Sequence, residues 1–326
     1  MSETDPFVPG KVFVKELVEL SLSNLRVYVT TRLEIDFGPS SQHMSGYKNF
    51  AVVGAGSTGS FIIRQLLKDK SAGIVDNVVV LTREGSKTTV DGDAKLIPVD
   101  YSNKVSVKNA LIGVDVVIST LASTVLQLQV GLAEAAKEAG AKLFVPSEFG
   151  AKTEGETEGF LGFKASIQTQ LKAVGLPYTL FYTGAFADFV WTSYFGLDIK
   201  SGKATIGGEG KKQNPFTSRV DIARYVSYIL THLPAEQLNN RSFTMVGDTK
   251  SFNEVFKEYE AKTGKKLEVT NVPVSELDTR LAANPRDIFA ILHKAWSTGP
   301  DPTKENDNYL YPDWNPSSLL ENIPVA

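Results

Sequence analysis

Asn49 to Gly59 reads NFAVVGAGSTG, and Ser60 to Lys68 continues it as SFIIRQLLK. Phe50-Ala51-Val52-Val53 is a short apolar run of the kind that forms a buried strand, while Phe61, Ile62, Leu66 and Leu67 share one helical face. Between them Gly54, Gly56 and Gly59 make GxGxxG, in the strand-to-helix setting that this motif requires. Without side chains at these points the backbone can turn sharply and approach a pyrophosphate. The ligand's charge then meets the free N–H groups and the positive dipole of the helix start, here at Ser57, Thr58 and Gly59. The weaker reading is that the glycines only punctuate a turn.

Working outward, Asn77 to Leu81, Lys95 to Val99, Val114 to Ile118, Lys142 to Val145 and Tyr178 to Tyr182 read as further buried strands, rich in β-branched residues. Gln129 to Ala139, stopped by Gly140, and Phe163 to Val174 read as helices between them. This alternation predicts an α/β fold, a Rossmann-type doubly wound parallel sheet with a smaller α/β substrate lobe. The expected division is a dinucleotide-binding domain over 47–184, completed by about 216–248 with a helix from Ser218 to Leu230, and a lobe mainly over 185–326 with a helix from Ser251 to Thr263. Residues 1–46 stand apart. Val12, Val14, Val27 and Val29 alternate as a strand would, Leu17, Leu20 and Leu25 fit a helix no better, and the segment is either a dispensable extension or an ordered hairpin on the core.

Composition narrows the chemistry. With 326 residues, 22% of them charged, a net charge of −3 and no run of basic residues, the chain lacks the footprint of a nucleic-acid binder. It has no cysteine, which excludes thiol nucleophiles and thiolate metal sites, and His43, His232 and His293 are too scattered for a zinc motif. No metal is expected. Val116 to Ala133 is uncharged but interrupted by serine, threonine and glutamine, so no membrane span is expected, and MSETDPFVPG is not a signal peptide. The expected location is the cytoplasm.

At the end of the second strand stands Arg83, followed by Glu84, Ser86 and Lys87. An acid in this region favours NAD, and a basic residue favours NADP. A charge-assisted contact of about 1.5–3 kcal/mol gives Arg83 on the order of ten- to a hundredfold preference for a 2′-phosphate, so NADP(H) is the expected cofactor, with Lys87 nearby. Glu84 opposes this if its carboxylate turns inward.

The stretches VDVVISTLAS, QVGLAEAAKEAG, KLFVPSEFG and GFKASIQTQLKAVGLPYTLFYTGAF together resemble the core of the isoflavone reductase, phenylcoumaran benzylic ether reductase and NmrA-like group of atypical short-chain dehydrogenases, from about Lys48 through Gly264. The resemblance implies that Lys164, in the helix after PSEFG, is a catalytic base acting on a substrate phenol to expel a benzylic ether oxygen, the resulting electrophile taking hydride from NADPH. Ser147, Glu148 and Phe149 form the strand-end loop expected beneath the nicotinamide, where open α/β sheets place their ligands, with Glu148 alternatively a helix-capping or structural acid; Ser119, Thr120 and Lys164 are expected to border the cofactor as well.

The Tyr-x-x-x-Lys pair of standard short-chain dehydrogenases is absent, since Phe160 stands four residues before Lys164. Lys164 must therefore act alone, with its pKa lowered by desolvation, or else it only holds the nicotinamide ribose or is a solvated helix residue. The loop is GxGxxG where the plant reductases have GxxGxxG, with Val53 at their first glycine, which is closer to fungal members. Phe186, Phe189, Trp191, Tyr194 and Phe195 line either an apolar pocket for an aromatic substrate or the core. Two functions follow: an NADPH-dependent reductase of a small aromatic or conjugated molecule, or an NmrA-like sensor that binds NADP(H) without turnover and reports to a protein partner.

Overall fold

The chain divides into two units, residues 1–44 and 45–326, and the computed structural model describes residues 11–22, 25–36, 46–90, 92–299 and 305–324. In the first unit β1 (Lys11–Leu22) and β2 (Leu25–Asp36) pair antiparallel, from Lys11 opposite Asp36 to Leu22 opposite Leu25. The alternation at Val12, Val14, Val27 and Val29 therefore belongs to strands. The helical spacing of Leu17, Leu20 and Leu25 is not realised.

The second unit begins with β3 (Asn49–Val53), α1 (Gly59–Ser71), β4 (Asn77–Arg83), β5 (Lys95–Val99), α2 (Lys104–Ala110), β6 (Val116–Ser119), α3 (Leu128–Ala139) and β7 (Leu143–Val145). The five strands are parallel, in the order β5-β4-β3-β6-β7. Alternate residues of β3 serve opposite faces, as the period of two demands. Phe50 and Val52 pack with Ile62, Ile63 and Leu66 of α1, whereas Ala51 and Val53 join the cluster of Leu132, Ala135, Ile167 and Leu171. Burial on both faces is why these strands read as unbroken apolar runs. Pro98, which lacks an N–H, is accommodated because β5 lies at the edge.

Next come α4 (Gly159–Val174), β8 (Thr179–Tyr182), β9 (Ala185–Phe186), β10 (Lys203–Gly207), β11 (Asn214–Thr217), α5 (Arg219–His232), α6 (Ala235–Leu238) and β12 (Arg241–Thr244). The Phe144 N–H donates to the Pro177 carbonyl at 2.9 Å, Phe144 bridges Tyr178 in parallel, and β12 pairs parallel with β8. The sheet thus continues beyond β7 to β8 and β12, and its order reverses between β3 and β6. In open α/β sheets ligands bind at that reversal, outside the carboxyl ends of the strands. Helix α4 starts one turn before the expected Phe163. Gly140, at φ +89°, ends α3 in the left-handed conformation that glycine adopts without strain.

The remaining elements are β13 (Asp248–Lys250), α7 (Phe252–Thr263), β14 (Glu268–Val272), α8 (Val274–Ala283), α9 (Ile288–Thr298) and α10 (Leu319–Asn322). Strand β11 pairs parallel with β9 and antiparallel with β13, and β10 pairs parallel with β14. A third core cluster, with Trp191, Ile206, Phe216, Phe252 and Trp296, holds this region together. Ser251 is the cap of α7 rather than its first residue and forms a capping box with Glu254. His293 is fully buried, accepting from the Gly207 N–H through Nδ1 at 2.9 Å and lying 2.9 Å from the Phe195 carbonyl through Nε2; burial pushes its pKa down to about 4. It is a neutral brace between β10, α9 and the Phe195 turn. Among the described residues no helix is long and apolar enough to cross a membrane, and no cluster of metal-ligating side chains occurs.

Candidate active site

The glycine loop turns out of β3 with Gly54 at φ +98°. Its N–H donates to the Leu81 carbonyl of β4, and the Thr120 hydroxyl donates to the Gly54 carbonyl at 2.7 Å. Thr120, after β6, therefore clamps the loop from the neighbouring strand. A Cβ on Gly59 would lie 2.1 Å from the Gly54 carbonyl oxygen and 2.4 Å from Thr120 Oγ1, so this position admits only glycine. Gly56 differs, because a Cβ there would meet nothing within 4 Å. One glycine is thus required by packing and another opens the loop outward, where a pyrophosphate would sit against the first N–H groups of α1.

Lys164 lies on the inward face of α4, with its side chain 9% exposed. Its ammonium is 3.1 Å from Glu148 Oε2 and donates to the Glu148 carbonyl at 3.2 Å, and Glu148 is itself only 2% exposed. Thr153 Oγ1 donates to Glu148 Oε2 at 3.0 Å, and Gln168 Nε2 donates to Glu148 Oε1 at 3.1 Å and to Thr153 Oγ1 at 2.6 Å. The Tyr182 hydroxyl stands 3.3 Å from Thr153 Oγ1, and its own pKa is pushed up to about 12 by burial. Desolvation pulls the Lys164 pKa below the ordinary lysine value, against the pull of Glu148 in the opposite direction. The Phe160 ring, where a tyrosine would stand in a standard short-chain dehydrogenase, lies 6.0 Å beneath the ammonium. Lys164 is therefore not a solvated helix residue.

The other expected residues take several positions. Arg83 and Lys87 are exposed at and beyond the end of β4, and neither makes an ion pair with the described residues, Glu84 included. Ser119 is wholly buried in β6 and its hydroxyl has no hydrogen-bond partner among the described residues. The Ser147 hydroxyl donates to the Leu121 carbonyl, and the Ser147 N–H donates to Gln129 Oε1 at 2.6 Å, so this residue fastens the loop after β7. Phe149 stacks on Phe181 at 6.4 Å and packs against the core on the α1 side. The five aromatics do not form one group. Trp191 belongs to the third core, stacked on Phe216, whereas Phe186, Phe189, Phe195 and Tyr194 form a chain of ring contacts that ends in the largely exposed Tyr194.

Sequence reading missed Arg219 and Asp188. The Arg219 guanidinium, at the start of α5, donates from Nη1 to Ser57 Oγ at 2.7 Å and from Nε to Asp188 Oδ2 at 3.0 Å. Nothing within the sequence around Arg219 marks a contact 162 residues away. Gln168 was more legible, since it stands four residues after Lys164 and must share its helical face.

A model described as the NmrA-like family matches residues 47–295. The chain is 32% identical over 247 residues to "Isoflavone reductase homolog IRL" of Zea mays, covering 70% of this chain and 79% of the relative. It is 32% identical over 235 residues to "Oxidoreductase aprR" of Aspergillus flavus, covering 69% and 77%. Among solved structures, the binary complex of leucoanthocyanidin reductase with NADPH from Vitis vinifera superposes with a TM-score of 0.71 at 19% identity, over 83% of this chain and 97% of that one.

Proposed function

The chain belongs to the NmrA-like family and, within it, with the isoflavone reductase homologues; from that premise we propose that it is an NADPH-dependent reductase of a small aromatic or conjugated substrate, with Lys164 as the base. The observation that carries this reading is the desolvated Lys164 amine backed by the buried Glu148 carboxylate at 3.1 Å. In its neutral form that amine takes a proton from a substrate phenol, and the ammonium so formed regains its ion pair with a carboxylate already in place. Glu148 thereby stabilises the charge that proton transfer creates, without reorganisation of solvent. Thr153 and Gln168 hold that carboxylate's two oxygens.

The loop residues fit a dinucleotide. Gly54, Gly56, Ser57, Thr58 and Gly59 shape the pyrophosphate cradle, and Arg83 with Lys87 offers exposed cations, without an ion pair among the described residues, for a 2′-phosphate. The reduced nicotinamide, when bound, supplies the hydride. An aromatic substrate is supported by the exposed rings of Phe189 and Tyr194 with the half-buried Phe195 between them, by Phe160 beside Lys164, and by the isoflavone and leucoanthocyanidin in the names of the similar proteins.

The test is loss of reduced-nicotinamide absorbance across a panel of phenolic ethers, isoflavones and quinones, with wild type beside Lys164→Met. Turnover that collapses in the variant while NADPH still binds supports the proposal. NADP(H) binding with no turnover on any panel member turns the reading to a redox sensor, and an active variant removes Lys164 from the chemistry.

A further inference from the structure

Arg219 is held in a way that a surface arginine is not. Its Cζ lies 4.8 Å from the Phe61 ring centroid and 4.8 Å from that of Phe189. Phe61 belongs to α1, directly after the glycine loop, and Phe189 belongs to the segment after β9. Asp188 fixes the base of the same side chain twice, accepting from the Arg219 backbone N–H at 3.0 Å and from Nε at 3.0 Å. Nη1 reaches the glycine loop itself, at Ser57 Oγ and at the Ser57 carbonyl 3.4 Å away. Nη2 donates to none of the described residues. The side chain is 16% exposed, so the guanidinium is partly desolvated yet keeps one open edge.

This arrangement defines where a ligand's charge must lie. Two rings and a carboxylate fix the rotamer before anything binds, with Nη1 already on Ser57 of the loop that opens at Gly56. An arginine offers paired donors to phosphate oxygens, whereas a helix start offers only N–H groups and a partial charge. We propose that Arg219 is a cofactor-binding residue, a guanidinium supplied from α5, outside the strand-turn-helix unit, that contacts the pyrophosphate of the dinucleotide held by the Gly54–Gly59 loop. The inference rests on the cofactor reading given above. It also gives Asp188 a distinct role: its carboxylate orients Arg219 through the backbone N–H and Nε, and takes neither of the terminal nitrogens Nη1 and Nη2.

The test measures dissociation constants of NADPH and NADH by fluorescence, together with the melting temperature, for wild type, Arg219→Gln, Arg219→Lys, Asp188→Asn and Arg83→Gln. A pyrophosphate contact is common to both dinucleotides. Arg219→Gln should therefore weaken NADPH and NADH by the same factor, about 10- to 100-fold, with Arg219→Lys in between. Arg83→Gln should weaken NADPH alone. Asp188→Asn cuts the tie between Arg219 and its support but keeps the cation, and should leave affinity closer to wild type than Arg219→Gln does. Unchanged affinity in a folded Arg219→Gln variant overturns the inference, and so does an equal loss in Asp188→Asn, which would make Arg219 a structural tie only. Failure of wild type to bind either dinucleotide overturns the cofactor reading instead, and this one with it.

Discussion

Replacing Glu148 by Gln keeps the shape of the side chain and removes the charge opposite Lys164. Both partners lie in the interior, at 9% and 2% exposure and 3.1 Å apart, so the lysine is left as an uncompensated buried cation. Breaking a buried pair from one side costs about 3–5 kcal/mol. Lys164 has an escape, because it can release its proton, and desolvation already pulls its pKa down. Holding neutral a lysine of ordinary pKa near 10.4 costs at most about 4.6 kcal/mol at pH 7 and about 2 kcal/mol at pH 9. The folded variant then binds fewer protons than its unfolded chain, so its stability must rise with pH up to the unfolded lysine value. Urea unfolding at the two pH values reads this directly: a loss of about 3–5 kcal/mol at pH 7, and a smaller loss at pH 9. The double variant Glu148→Gln with Lys164→Met should regain most of the difference, since an apolar side chain needs no counter-charge. A pH-independent loss, or one below about 1 kcal/mol at pH 7, would refute the view that Glu148 compensates a buried lysine.

Four further outcomes are expected. Gly59→Ala should destabilise the fold by about 1–3 kcal/mol or more and abolish cofactor binding, whereas Gly56→Ala should keep the wild-type melting temperature and still bind poorly, as calorimetry and titration will show. Arg83→Gln should reduce the preference for NADPH over NADH by on the order of ten- to a hundredfold in the ratio of binding constants. Burial depresses the pKa of His293 to about 4, so the folded state resists its protonation; stability present above the unfolded value of about 6.5 should fall by roughly 3 kcal/mol as pH drops toward 4, with a shallower fall in His293→Gln during acid titration. A chain starting at Ser45 should melt and bind NADPH as the full chain does, which differential scanning fluorimetry with added cofactor will check.

The parallel sheet was legible because each of its strands carries its own evidence. Phe50 to Val53 and Val78 to Leu81 are apolar on both faces, and the helices between the strands make them parallel. The helix starts were less legible: Gly159 and the residues before Phe163 look like loop, yet α4 begins at Gly159, with Gly162 close against the incoming chain at Thr157. At the site, Lys164 and the glycines could be found because their chemistry is local in sequence. The network around Lys164 could not all be found, since Glu148 meets the lysine, Thr153 meets Glu148, and Tyr182 meets Thr153 and Gln168, only through the packing of β7, α4 and β8. Arg219 lay further still from view, because it comes from the second half of the chain to a loop at the start of the first. The aromatic run from Phe186 to Phe195 read as one group, yet a 3₁₀ turn at Ser193–Phe195 and the burial of Trp191 divide it between surface and core.

The most direct test of the account is single turnover with NADPH carrying deuterium at the transferred position of the nicotinamide, with mass spectrometry of an accepted phenolic substrate. The account predicts one deuterium on carbon in the reduced product with wild type and none with Lys164→Met, although that variant still binds the cofactor. Bound NADPH that keeps its deuterium across every substrate offered would contradict it.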